Sequence, residues 1–138
     1  MPNKNDLKVI NPLEKERSRI YGPPDVRDKK RKKYIASLVK KHSEELIRDI
    51  LSALSKMEDF IPAEGLKKAN TKSATLDELL RPYDILWFYF EDIREKEDTS
   101  VEVDVRHGIN LAAEGETFVF RRKKKGLEVF KRLKRWIS

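Results

Sequence analysis

Two runs of consecutive cations are the residues best placed to do chemistry: Lys29-Lys30-Arg31-Lys32-Lys33 and Arg121-Arg122-Lys123-Lys124-Lys125. Five adjacent positive side chains attract polyanions, because each phosphate contact releases condensed counterions. The first run falls where a helix has no apolar face, so all five side chains are expected to reach solvent. A cationic run near a helix N-terminus also opposes the helix dipole, so solubility alone is a weak reason for it. The second run leaves a predicted strand and enters a predicted helix whose outer face adds Lys131, Arg132 and Arg135. Phe130 and Trp136 lie nearby and could stack on exposed bases. Helical spacing instead assigns both to the core.

A second group of candidates is Glu102, Asp104, His107 and Glu116. Carboxylates two apart on a strand share a face, and a metal ion could bridge them. Alternating charges are equally the ordinary pattern of an exposed strand face. No acidic residue of this group is followed two positions on by the lysine that a metal-dependent nuclease would use, and no Gly-rich phosphate loop is present. No catalytic residue, metal ligand or cofactor is therefore assigned, and the chain reads as non-enzymatic. His42, at the rim of an apolar helix face, reads as a half-buried packing residue.

These residues need elements to hold them. Asn11-Pro12-Leu13-Glu14 is a good helix start, and Gly22-Pro23-Pro24 a stop, so residues 1–24 read as a basic tail with one short helix. A long amphipathic helix is expected from Asp25 to Phe60. Ile35, Val39, Leu46, Ile50, Ala53, Met57 and Phe60 recur at the helical period, flanked by Ile47, Leu51, Leu54 and Ile61. Pro62 should end it, and residues 63–74 should form a polar connection. Thr75-Leu76-Asp77-Glu78 is a capping box for a second helix running to about residue 96 and kinked at Pro82. Ile85 to Phe90 could instead be a buried strand, since short apolar runs fit both. Val101 to Arg106 alternates strictly, and Thr117 to Arg121 pairs with it as a hairpin with a long tip. A closing amphipathic helix is expected from Gly126 to Ile137. The fold class is thus mainly α (α+β), with residues 25–138 as a single domain.

The order helix, helix, hairpin would suit a winged helix. However, the helix ahead of the hairpin would offer bases only Asp84, which phosphate repels.

Charge supports the same partner class. Residues 1–41 carry +8, residues 42–117 carry −9 and residues 118–138 carry +8, an acidic middle between basic ends. Cysteine is absent, which excludes disulfides and thiolate sites. Two histidines are too few for a histidine-rich zinc site. Glutamine is absent too, and Lys and Glu dominate the charged set, a composition expected of hyperthermophile proteins. Residues 1–19 have no apolar h-region, and no apolar run approaches a membrane span, so a cytoplasmic protein is expected. A basic final helix could lie on anionic lipid, but closing the protein's own core is the commoner use. The expected function is a nucleic-acid-binding accessory protein that contacts phosphates through its basic ends. The alternative is an assembly protein that self-associates, or binds a protein partner, through its long helix and bipolar charge. A helix longer than one small domain can cover makes a homo-oligomer the expectation under both.

Overall fold

The computed structural model describes residues 22–60, 62–81, 88–109 and 112–137. The expected N-terminal helix at residues 11–21 lies outside them. Among the described residues four helices come first: α1 (Pro24–Lys41), α2 (Glu44–Ser55), α3 (Pro62–Lys68) and α4 (Leu76–Leu80). Four strands follow: β1 (Phe88–Glu95), β2 (Ser100–Ile109), β3 (Ala112–Arg122) and β4 (Leu127–Ile137). They form one antiparallel meander in the order β1-β2-β3-β4. The fold is α+β with a four-stranded sheet, and the mainly α expectation is wrong in three places.

The first is the long helix. It is two helices, broken at His42 and Ser43, and the second ends at Ser55. The Ser43 hydroxyl accepts a hydrogen bond from the Leu46 amide at 3.1 Å, and Glu44 and Glu45 occupy the first turn of α2. A capping serine followed by carboxylates starts a helix, and Lys40 and Lys41 suit the end of the one before. The break lets α2 turn inward. Ile47, Ile50, Leu51 and Leu54 have no solvent exposure, so the residues taken as flanks of one stripe are as buried as the stripe itself. A helix apolar over so wide an arc is an interior helix. Pro62 begins α3 rather than ending anything, which its fixed φ and missing N–H allow at a first helical position.

The second is the kinked helix. The capping box forms as expected: the Thr75 hydroxyl accepts from the Glu78 amide at 3.1 Å, and the Glu78 carboxylate accepts from the Thr75 amide at 3.4 Å. The helix nevertheless stops at Leu80, and from Phe88 the chain is strand. Phe88 and Phe90 are buried, and a bulge after Phe90 then resets the alternation so that Ile93 is the next residue to point inward. Inward positions at 88, 90 and 93 imitate helical spacing.

The third is the closing helix, which is β4. Two register shifts leave Phe130 and Arg135 as extra residues opposite β3. A bulge adds one residue to one strand and shifts its faces by one. Residues 127, 129, 132, 134 and 137 therefore fall on one face at a mean spacing between those of strand and helix. Arg132 and Lys134 share that face, while Leu133 and Trp136 lie on the other, so the apolar positions that suggested one helical stripe are divided between the two faces of the strand.

The expected hairpin is present as β2 and β3, and it runs further than expected, to the pair Ile109 and Ala112. The core lies between its inner face and α2. Val101, Val103, Val105, Phe118 and Phe120 are fully buried with the α2 residues. Phe60 closes one end, edge-on to Phe88, Phe118 and His107. α1 packs beside β1, where the Tyr34 hydroxyl accepts from the Phe90 amide at 2.6 Å and donates to the Phe90 carbonyl at 3.2 Å. One hydroxyl thus satisfies both backbone groups at the bulge of an edge strand. Among the described residues no helix is long and apolar enough to cross a membrane.

Candidate functional site

The two basic runs, alike in sequence, meet different fates. On α1, Lys29, Lys30, Lys32 and Lys33 are exposed, but Arg31 is only 7 % exposed. Its Nε donates to Asp77 at 2.9 Å and its Nη2 to Asp28 at 2.6 Å, while Arg81 holds the other oxygen of Asp77 at 2.6 Å. Burial pulls the Asp77 carboxyl upward, but Arg81 and Arg31 more than offset it and hold it below the usual range. Arg31 is a tether between α1 and α4, not a free cation.

The second run lies at the opposite end of the sheet. Tyr34 of α1 meets Phe90, whereas His42 meets Glu95 at 3.3 Å, and Glu95 in turn meets Arg122 at 3.1 Å. From Arg31 to His42 the helix rises about 16 Å, so the runs do not form one patch. His42 is half-buried, as expected, with an ion-pair partner besides. Within the second run the arginines are engaged: Arg121 lies 3.4 Å from the Phe130 ring centroid, and Arg122 pairs with Glu95. Lys123 pairs with Glu128. Lys124 and Lys125 are exposed and have no ion pair among the described residues. Further on, Lys131 is exposed, Arg132 is bound to Glu116, and Arg135 reaches Glu91 at 2.9 Å.

The turn that carries Lys124 and Lys125 is closed by a Lys123 amide to Gly126 carbonyl bond of 2.9 Å. Gly126 sits at φ +89°, a conformation that a side chain would strain. The turn stands against α2 and encloses a groove of about 590 Å³, continued along the start of β4 by a second hollow of about 380 Å³. Lys56, at the C-cap of α2, lines both, and Lys72 enters from the connection between α3 and α4. That connection is shaped by Asn70, whose side-chain oxygen accepts from the Lys72 amide at 3.0 Å, and by Arg48, which donates to the Ala74 carbonyl at 2.6 Å and the Thr71 carbonyl at 3.2 Å. Four lysines from three segments therefore converge on one concavity. Glu45 and Asp49, on the same helix as Lys56, also line the groove, and Asp49 stands beside the turn at Gly126. Burial, and then Glu45, push the Asp49 carboxyl up, with Arg122 acting against them. Lys56 and Lys72 were missed by the sequence reading because Lys56 stands among carboxylates in the acidic middle and Lys72 is separated from Lys67 and Lys68 by a polar stretch. No local pattern marks them.

The acidic group at the hairpin is split by the strand alternation. Glu102 and Asp104 lie on the open face, where Arg94 binds Asp104 at 2.8 Å, Asp92 at 2.7 Å and Glu102 at 3.1 Å. Asp104 also accepts from the Thr117 hydroxyl at 2.7 Å. Arg94 first, outweighing burial, holds the Asp104 carboxyl below its ordinary value. His107 and Glu116 lie on the helix-covered face, with their side chains 2.5 Å apart. His107, Glu114 and Glu116 bring one ligand atom each within 4.8 Å of one another, a spacing that a metal ion could use. However, both Glu116 oxygens already accept from Arg132, at 2.7 and 3.1 Å, and Arg132 also caps the carbonyl of Asp59 at 3.1 Å. A cation there would have to displace a guanidinium that Glu116 needs. Burial raises the Glu116 carboxyl, but Arg132 and His107 together more than compensate and hold it low. The donor set suits a structural ion cluster better than a metal centre.

The aromatics expected in the core are elsewhere. Phe130 is 52 % exposed, and the Trp136 ring lies across Gly115, where a Cβ would fall 2.1 Å from the indole nitrogen. The Arg106 guanidinium lies 5.4 Å from the Trp136 centroid. Neither helical packing nor a free stacking surface describes that ring.

No family model matches this chain, and neither a curated protein nor a solved structure matches it.

Proposed function

We propose that the protein is a non-enzymatic nucleic-acid-binding accessory protein whose phosphate contacts are made in the groove between α2 and the β3–β4 turn. The observation that carries this reading is the convergence of Lys56, Lys72, Lys124 and Lys125, none with an ion pair among the described residues, on one concave site. Phosphate contact asks for mobile, hydrated point charges more than for fixed geometry, and lysine supplies them. The exposed lysines of α1 add to long-range attraction from the far end of the sheet. Arg31, Arg132 and Arg135 are occupied by Asp77, Glu116 and Glu91 and drop out of the contact set.

Four contacts give a slope of log affinity against log salt of roughly −3 for single strands and −3.6 for duplex. Measured by fluorescence anisotropy with labelled oligonucleotides, the reversal Lys56→Glu with Lys124→Glu and Lys125→Glu is expected to remove most of that slope and weaken all sequences alike. Unchanged binding in that variant, or no binding by the wild type at low salt, would defeat the reading. Self-association loses its original basis, since the over-long helix is two shorter ones. A protein-binding reading rests instead on β4.

A further inference from the structure

The two edges of the sheet are finished differently. β1 is covered: α1 runs beside it, and the Tyr34 hydroxyl occupies the amide and carbonyl of Phe90. β4 has β3 on one side, and among the described residues no other element hydrogen-bonds its free edge. The large apolar side chains that stand exposed among the described residues are Phe130, Leu133 and Ile137. All three are on β4. Exposed apolar groups gathered on one edge strand mark an interaction surface.

Charge then selects the occupant. Arg132 and Arg135 are neutralised within the chain, but Lys131 and Lys134 are exposed and have no ion pair among the described residues. Register places Lys131 and Leu133 on one face, opposite Val119 and Thr117, and Lys134 and Ile137 on the other, opposite Glu116 and Glu114. Each face of the edge therefore offers one lysine and one apolar side chain. A second copy of β4 would set these lysines against themselves, and on the β1 edge of a second copy Tyr34 already occupies the amide and carbonyl of Phe90. We infer that the edge of β4 from Phe130 to Ile137 is a docking strand for an extended acidic segment of another protein, one that carries carboxylates and apolar residues on both its faces. Main-chain hydrogen bonds would supply affinity, and the alternating contacts would supply specificity. The residues differ from those of the groove, so the two interactions are separable.

The probe is an acetylated peptide of about eight residues in which pairs of Glu alternate with pairs of Val, a pattern that puts both types on each face of a strand. A control of the same charge carries proline at two central positions, where it cannot donate to a ladder. Hydrogen exchange of the full chain is expected to slow at residues 130–137 when the first peptide is added, and not with the control. Leu133→Glu, at a half-exposed position, should keep the melt and weaken the peptide by roughly tenfold or more. Lys131→Glu with Lys134→Glu should do the same, while the groove reversal should lose oligonucleotide binding and retain the peptide. Equal binding of the proline control would reduce the effect to net charge and overturn the proposal. Protection of residues 130–137 that rises with protein concentration alone would make a second copy the occupant and overturn it equally.

Discussion

The run at residues 29–33 and the run at residues 121–125 have the same length and charge, yet among the described residues only the second shares a groove with lysines from other segments. The α1 run projects from a helix: one arginine turns inward to Asp77, and the four lysines are exposed along the helix. The turn run is folded back against α2, so that Lys124 and Lys125 share a groove with Lys56 and Lys72. In both, the arginines are engaged by carboxylates or a ring, and free charge is left to lysine. The planar guanidinium is suited to fixed, partly dry partners, and the ammonium to hydrated ones. A basic run gains a binding geometry only where tertiary structure adds cations from elsewhere.

The sharpest break of this contrast comes from the arginines. Arg132→Ala is expected to cost about 3 kcal/mol, because it leaves Glu116, which has no solvent exposure, with His107 as its remaining hydrogen-bond partner. Arg31→Ala should cost less, about 1–2 kcal/mol, because Asp77 keeps Arg81. Urea denaturation measures both, and the reverse order would show that the α1 tether matters more than the sheet cluster. Oligonucleotide affinity comes next. The groove reversal is expected to weaken binding by about 100-fold at low salt, the equivalent of ~2.7 kcal/mol. Reversing Lys29, Lys32 and Lys33 should cost about tenfold or less, through long-range attraction alone. Equal losses would mean that the two runs act as one surface after all.

Acid titration sharpens the same point more gently. Glu116, Asp77 and Asp104 are all held below their ordinary values, so the stability they contribute is fully present above the ordinary values of 4.5 and 3.8. It is lost as pH falls through the lower folded values. The urea midpoint should therefore be flat above about pH 5 and fall below it. In Arg132→Ala only His107 is left to offset burial, so the Glu116 carboxyl should move up and acidification should cost that variant less than it costs the wild type. The smallest effect is expected for Lys123→Ala, whose pair with Glu128 is exposed on both sides. A change within about 0.5 kcal/mol is the expected outcome.

Local chemistry made several elements legible. The Thr75 capping box, the strict alternation of Val101 to Arg106 and its pairing with Thr117 to Arg121 depend on neighbours within a few residues, and all three are present as expected. The Ser43-Glu44-Glu45 start signal was equally local, but a continuous apolar stripe ran through it and masked it. β1 and β4 were obscured for a different reason. A bulge shifts a strand's faces by one residue: in β1 it brings the inward positions 88, 90 and 93 near helical spacing, and in β4 the apolar residues are divided between two faces whose alternation the bulges interrupt. Whether such a stretch coils or extends depends on a neighbouring strand that the sequence does not announce. The site follows the same division. The sequence by itself determined that cations are plentiful at both ends and that thiol chemistry is excluded. Only the tertiary structure decided which cations are free, because ion pairing such as Arg31 with Asp77, or Arg132 with Glu116, joins residues far apart in the chain and is set by packing.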